Sequence, residues 1–396
     1  MTVWIIEPRD PFIARDGRPF GLIPGARAAS YDFPFPSTTT GGVRTRHGFG
    51  TGGDFDDPQQ QARLIAEVRQ IAVRGPLLVE IGNNMDDVRW LAPAPADAAL
   101  FEVETTNGKI DHYRAEIKLL EPRSLPDGAD TNLPDGLAPV CPALSDQRKP
   151  FGNAPRYWRW EKFEKWLINP VCEAVNLSEL GHNGPTSEIR THVKVQAGTW
   201  TAAESELFQT RGLEFALQGQ NGYLSAVGRL ALGIATDATG VTAGLAPLGG
   251  ERRLVNWHKS RASLPECPEM LRAEINKTGA CRVVLLTPAH FRGGSRPQWL
   301  VESQAGIKPE LKAMAITRSQ VVSGWDFEKK KPKPTRRLVP PGAVFFLKLN
   351  GDADARNQWV DTMWMNCVSD DEQDRRDGFG LAVVGSWSGD CPKMEV

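Results

Sequence analysis

Apolar residues along the chain change their spacing several times, and each change marks an element. TVWIIE (2–7) is a short apolar run of strand composition, closed by Pro8. PQQQARLIAEVRQIAV (58–73) repeats its apolar positions at helical spacing through Leu64, Ile65, Val68 and Ile71, and PLLVEI (76–81) follows as a strand. PRYWRWEKFEKWLI (155–168) predicts an amphipathic helix. Its aromatic load, Tyr157, Trp158, Trp160, Phe163 and Trp166, fits a core or a partner interface better than a base-stacking platform. EIRTHVKVQAG (188–198) alternates like a strand, with Arg190, His192 and Lys194 on one face and Ile189, Thr191, Val193 and Val195 on the other. A basic face on a central strand suits nucleic acid, and an exposed edge strand guarded by charge gives the same pattern. GLEFALQ (212–218) and GYLSAVGRLALG (222–233) predict two further strands.

The last third reads most clearly. CRVVLLTPA (281–289) predicts a strand and RPQWLVESQ (296–304) a short helix; LKAMAITRSQVVSGWDF (311–327) and AVFFL (343–347) predict strands. NQWVDTMWMNCVSDDEQD (357–374) predicts a helix and FGLAVVGSW (379–387) a closing strand. The order β-α-β-β-α-β is that of the split ferredoxin-like unit, and the first part of the chain begins in the same way. The expected fold is therefore α+β: two ferredoxin-like (RRM-like) βαββαβ units with long insertions. The expected domains are residues 1–240 and 241–396. Within the first, 83–150 places VRWLAP and ALFEVE between loops rich in Pro, Asp and Gly, and is the expected region for a protruding hairpin.

Between the strands of the last third lies the most basic stretch, GWDFEKKKPKPTRRLVPPG (324–342). Lys329, Lys330, Lys331, Lys333, Arg336 and Arg337 crowd into it, and Pro332 and Pro334 exclude a regular helix. A stiff basic loop between strands suits a polyanion; a solvated loop gives the same composition. The whole chain, with 47 Lys and Arg against 48 Asp and Glu, has a formal net charge of −1, so a basic patch requires acidic residues to gather elsewhere. The six cysteines form no Cys-x-x-Cys pair, which argues against a structural zinc. No run approaches the ~20 apolar residues of a membrane helix, and MTVWIIEPRD lacks the features of a secretory signal, so a cytoplasmic protein without membrane contact is expected.

Other segments hold candidate binding chemistry. RDPFIARDGRPFGL (9–22) sets Arg15 and Arg18 among glycine and proline. FPFPSTTTGGVRTRHG (33–48) predicts a helix start capped by Ser37 or Thr38, with Arg44, Arg46 and His47 on the first turns. Such a terminus can seat a phosphate and is equally an ordinary cap. LAPLGGERRLVNW (245–257) carries Arg252 and Arg253 behind a glycine pair, and Gly378-Phe379-Gly380, then Gly385, lead into the final strand. Glycine admits close backbone approach, but the spacing is neither a Rossmann nor a P-loop signature.

EPRDPFIARDGRPFG, PSTTTGGVRTR, RTHVKV, LGGERRL, GWDF, PKPTRRLVPPG and GFGLAVVGSW follow one another over nearly the full chain. In this combination the sequence resembles the RAMP superfamily of CRISPR-associated proteins and, within it, the family of the third subunit of the type III-B Cmr effector. Pro341 stands where that family is expected to carry a small residue. The resemblance implies two ferredoxin-like folds, no cofactor and no catalysis. It implies a cap at the 5′ end of the guide RNA that holds the repeat-derived tag, between the large cyclase/polymerase-like subunit and a RAMP backbone subunit. It implies no homo-oligomer. The family's motif positions carry over to Arg44 and Arg46, to Arg190, His192 and Lys194, to Lys333, Arg336 and Arg337, and to Gly378, Gly380 and Gly385, as candidates to bind RNA or to meet the neighbouring large subunit. Arg15, Arg18, Arg252, Arg253 and Phe379 are further candidates, and Phe12, Phe20 and Trp325 could stack on bases. Two alternatives stand beside this: a metal-independent RAMP endoribonuclease using His47, with Tyr31 and Arg44 near in sequence, and a scaffold that contacts only protein.

Overall fold

Thr2–Pro8 (β1) is buried continuously from Val3 to Glu7, as a strand at the centre of a sheet must be. The computed structural model describes residues 1–15, 27–28, 30–104, 107, 110–143, 146–217, 228–326 and 331–394. The chain forms two compact units that take turns along the sequence: 1–88, 184–262 and 321–337 make the first, and 89–183, 263–320 and 338–396 the second.

In the first unit, β1 is followed by helices α1 (Pro36–Gly50) and α2 (Pro58–Arg69) and then by β2 (Val73–Ile81). A long ribbon of β3 (Thr186–Val195) and β4 (Ala202–Glu214) comes next, then β5 (Gly228–Thr236) and β6 (Leu254–Lys259). The sheet order is β2-β5-β1-β6. Every pairing is antiparallel, with Thr2 opposite Thr236 and Trp4 opposite Lys259 on the two sides of β1. The boundary expected at 240/241 thus falls before β6, the strand that covers one edge of β1.

The second unit has a sheet of the same order. β7 (Ala280–Leu285), β8 (Glu310–Ala315), β9 (Val344–Lys348) and β10 (Leu381–Ser386) run β8-β9-β7-β10, again antiparallel, with Asn366–Cys367 beyond β10. Helices α3 (Trp160–Ile168), α4 (Glu269–Thr278) and α5 (Ala353–Met363) lie against β10, and the five-residue α6 (Glu372–Arg376) stands before it in sequence. β7, β9 and β10 are almost wholly buried, which is why their sequences read as unbroken apolar runs.

Several expected elements differ. The helix expected over 357–374 is two helices, α5 and α6. Between them Met365 takes φ +51° and Asn366–Cys367 pairs with β10. The helix expected over 296–304 is a single 3₁₀ turn, Trp299–Val301. Of the strand expected over 212–218, Gly212–Glu214 is the end of the 13-residue β4 and Ala216–Leu217 pairs with β5, while 218 and 222–227 lie outside the described residues. α1 begins at Pro36 with Phe35 as its N-cap and no side-chain cap, so neither Ser37 nor Thr38 caps it; Arg44 and Arg46 sit beyond its second turn.

Two long hairpins stand out among the described residues. One joins Ala98–Glu104 to Ile110–Pro122, inside the 83–150 region. The other, β3–β4, is longer and lies outside it. Its outward apolar residues include Ile189, Val193, Val195 and Leu207, and at its tip Trp200 is 83% exposed with φ +59°.

Candidate nucleic-acid interface

The predicted cations separate into those the fold consumes and those it leaves outward. Arg44, on α1, donates to the carbonyls of Arg69 (3.2 Å) and Ile71 (3.0 Å). It thereby satisfies acceptors at the C-terminal end of α2. Arg46 reaches the loop before β6, donating to the Thr242 carbonyl (from Nε, 3.0 Å) and hydroxyl (2.9 Å), with its guanidinium 5.4 Å from the centre of the Trp257 ring. Burial lowers the pKa of that guanidinium from its ordinary value. His47 accepts the Gly240 N–H at Nδ1 (3.0 Å), so its imidazole is tied to the same loop. These three side chains brace α1 against its neighbours, and that use is visible only once the partners 25 to 197 residues away are placed.

On β3, Arg190 pairs with Glu188 at 2.6 Å. His192 contacts the Thr210 hydroxyl at 2.9 Å and stacks on Phe208 across the ribbon, rings 5.1 Å apart and 15° from parallel. Lys194 is exposed toward the tip. Near the root of the ribbon, Glu188 is held below the usual carboxylate range, chiefly by Arg190, while burial and the neighbouring Glu188 push Glu214 up.

The LGGERR turn is built tightly. The Gly250 N–H donates to Ile13 O at 2.7 Å, and a Cβ on Gly249 would stand 2.6 Å from the same oxygen. Glu251 and Arg252 then both take left-handed backbone, φ +57° and +51°. Few side chains tolerate this, and two in succession mark stored strain. Arg15 lies 3.8 Å from Glu251. Arg252 projects into solvent with no hydrogen bond or ion pair among the described residues, and the Arg253 Nε is buried without a partner.

In the basic stretch, Trp325–Asp326 pairs with Lys331–Pro332, the Lys333 N–H donates to Gly324 O (2.7 Å), and its carbonyl accepts from the Ser323 hydroxyl (3.0 Å). The arms on either side of residues 327–330 are therefore paired antiparallel. The side chains of Lys331, Lys333 and Arg337 are exposed and make no hydrogen bond or ion pair among the described residues; Arg336 is half-buried and partnered. Arg18, Phe20, Lys329 and Lys330 lie outside the described residues. Phe12 is in the core, edge-to-face with Phe215.

The glycine loop belongs to the second unit and is buried. Gly378 (φ +92°) accepts from the Thr287 hydroxyl at 2.7 Å, Phe379 is fully enclosed, and the Gly380 N–H donates to Pro288 O at 2.8 Å. A Cβ on Gly380 would meet the backbone N and Oγ of Ser369 at 2.9 Å. On Gly385, in β10, it would meet the Arg282 guanidinium at 3.0 Å. These glycines make room for the protein's own backbone and side chains. Beside this loop stands a group that carries no sequence motif: His290, with Nδ1 2.8 Å from Asp374 Oδ2, and the exposed Arg292 and Arg296.

Among the described residues no three His, Cys, Asp or Glu side chains converge to hold a metal ion, and no helix is long and apolar enough to cross a membrane. The arrangement offers outward cations on hairpins and turns, suited to phosphates.

The family model for the CRISPR-associated protein Cas_Cmr3 matches residues 4–387. No curated protein matches the chain. Among solved structures, a chain of the type III-B Cmr-beta complex bound to cognate target RNA and AMPPnP is similar at 12% identity and a TM-score of 0.45, covering 87% of this chain and 86% of that one. A chain of the Csm3–Csm4 subcomplex of the type III-A interference complex is similar at 11% identity and a TM-score of 0.34, covering 89% and 94%. The family match, over nearly the whole length, carries the assignment.

Proposed function

The chain belongs to the CRISPR-associated Cas_Cmr3 family, the subunits of type III-B effector complexes, and on that premise we propose that it caps the 5′ end of the guide RNA. In this role it holds the repeat-derived tag and docks the large cyclase/polymerase-like subunit on one side and a RAMP backbone subunit on the other, without catalysing a reaction. The two sheets of order β2-β5-β1-β6 and β8-β9-β7-β10 support reading it as two ferredoxin-like units. The observation that carries the binding role is the family match together with Arg252, Lys331, Lys333 and Arg337, cations whose side chains make no hydrogen bond or ion pair among the described residues. Arginine and lysine in that state neutralise phosphates and release counterions.

The test is the purified chain mixed with labelled repeat-derived RNA, with and without the large subunit. Retardation without cleavage, tighter with the partner and weakened by salt, is expected. Lys333→Ala with Arg337→Ala should lower the log–log salt slope by about 1.4, roughly 0.7 per phosphate contact on a single strand. Specific cleavage lost in His47→Ala would replace this reading with a nuclease. Absence of RNA binding even in the assembled complex would leave a scaffold that contacts only protein.

A further inference from the structure

The segment His290–Arg296 follows β7 in the second unit and lies outside every motif that points to RNA. Its base is clamped. The Asp370 carboxylate accepts three backbone N–H groups, from Arg292 (2.8 Å), Gln298 (2.8 Å) and Trp299 (2.9 Å). Arg375 donates to the carbonyls of Ser369 (2.6 Å) and Asp370 (2.8 Å) and lies 4.6 Å from the centre of the Trp299 ring. The turn itself closes through Gly294, whose N–H donates to Phe291 O at 3.1 Å. Gly294 takes φ +77°, and a Cβ there would meet nothing within 4 Å, so that side of the turn is open.

Three polar groups face out from this frame. His290 directs Nδ1 to Asp374 Oδ2 at 2.8 Å. A carboxylate accepts only, so Nδ1 carries a proton and is spent on Asp374, leaving Nε2 as the ring atom available to a ligand. Arg292 is 65% exposed, its nearest acid being Asp371 at 3.7 Å. Asp371 and Asp374 are three residues apart at the start of α6, about one helical turn, which brings His290 and Arg292 to neighbouring points on one short element. The Arg296 side chain is exposed and has no hydrogen bond or ion pair among the described residues.

The acids nearby are already engaged. Asp370 is saturated by the three N–H groups, and Asp371 caps α6 through Gln373 N (2.9 Å). Glu372 pairs with Arg376 (2.6 Å), and Asp377 accepts from the Gln373 side chain (2.8 Å). Asp371 (49% exposed) and Glu372 (69% exposed) hold protein donors at the surface, and the Arg292 and Arg296 side chains are turned outward on the loop beside them.

We propose that His290, Arg292 and Arg296 form a seat for a ribose–phosphate step of single-stranded RNA. The arginines take phosphate oxygens, and His290 Nε2 hydrogen-bonds a ribose 2′-hydroxyl, which can both donate and accept. The inference rests on the RNA-binding reading above and adds to it a second contact region, in the other unit, that distinguishes RNA from DNA.

The experiment titrates a short fluorescein-labelled single-stranded RNA, and its 2′-deoxy counterpart, with the full-length chain over a range of salt. Arg292→Ala with Arg296→Ala should weaken RNA binding at least tenfold at low salt and lower the slope by about 1.4. Both side chains are exposed, so the thermal midpoint should hold. Arg292→Lys with Arg296→Lys should restore most of the slope. His290→Ala should instead narrow the preference for RNA over DNA severalfold with little change in slope. Wild-type behaviour of the double alanine variant, while Lys333→Ala with Arg337→Ala loses binding, overturns the seat and leaves the RNA reading standing. Unchanged RNA affinity with loss of complex assembly makes the loop a protein contact and also overturns it. A wild-type chain that binds no RNA overturns both readings together.

Discussion

Arg282, in the middle of β7, is 1% exposed and paired with Asp97, which is 0% exposed. Its Nε donates to Ser386 O and its Nη2 to Trp166 O, both at 2.7 Å, and the Trp166 indole N–H completes the carboxylate at 2.9 Å. Ions removed from water are tolerated only when their hydrogen-bonding capacity is filled in this way. Arg282→Ala should therefore lower the stability of the second unit by about 3–5 kcal/mol, because it strands the Asp97 charge. Arg282→Met combined with Asp97→Leu should recover a large part of that loss; urea unfolding of the three proteins checks both. In the sequence, Arg282 is one polar letter in the strand CRVVLL, and its partner stands 185 positions earlier. The strand is legible from its own residues. The ion pair is not, because no local pattern joins two such distant positions.

At the scale of single elements, two turns make a controlled comparison. Gly380 (φ +81°) and Gly294 (φ +77°) have nearly the same backbone, yet a methyl on the first meets Ser369 at 2.9 Å and a methyl on the second meets open space. Gly294→Ala should cost about 1 kcal/mol, the left-handed penalty alone. Gly380→Ala should cost more, by about 1–3 kcal/mol, through overpacking. Thermal unfolding of the two variants gives the difference. The GFG letters look the same whether a glycine admits a ligand or the protein's own chain, which is why the sequence left the loop's role open. Elements also failed to announce their ends. MWMNCV carries enough apolar residues for a helix, but pairing of Asn366–Cys367 with β10 overrides the helical preference. In RPQWLVESQ, Asp370 takes the N–H groups of Gln298 and Trp299, and only one turn forms. The apolar runs of β1, β7, β9 and β10, by contrast, were legible because strands buried on both faces carry their signal in composition.

For the whole molecule, the sheet orders make the two units comparable, and their alternation along the chain sets how they can be separated. A fragment ending at residue 240 keeps β1, β2 and β5 but lacks β6, which covers Trp4 to Pro8. Such a fragment should be poorly soluble and show broad amide spectra, whereas the full chain should give dispersed ones; heteronuclear NMR of both distinguishes the cases. Sequence patterning placed the chain in an α+β class and in its family, because those depend on local runs and ordered motifs. It could not divide the cations into braces such as Arg44 and Arg46 and outward groups such as Arg252 and Arg337, because that division depends on which carbonyls the fold brings within reach.

Each unit is assembled from three separate segments, so the chain crosses between them five times from end to end. During synthesis the first sheet waits for residues 254–259 and the second for residues 381–386. Pairings such as Thr2 with Thr236 join residues far apart in the sequence. Contacts of that span form slowly and leave sheet edges open to other chains in the meantime. A nascent polypeptide of this design therefore carries apolar strands unpaired until those late partners emerge, so the cell's supply of chaperones should bear on how much of it reaches an assembled complex.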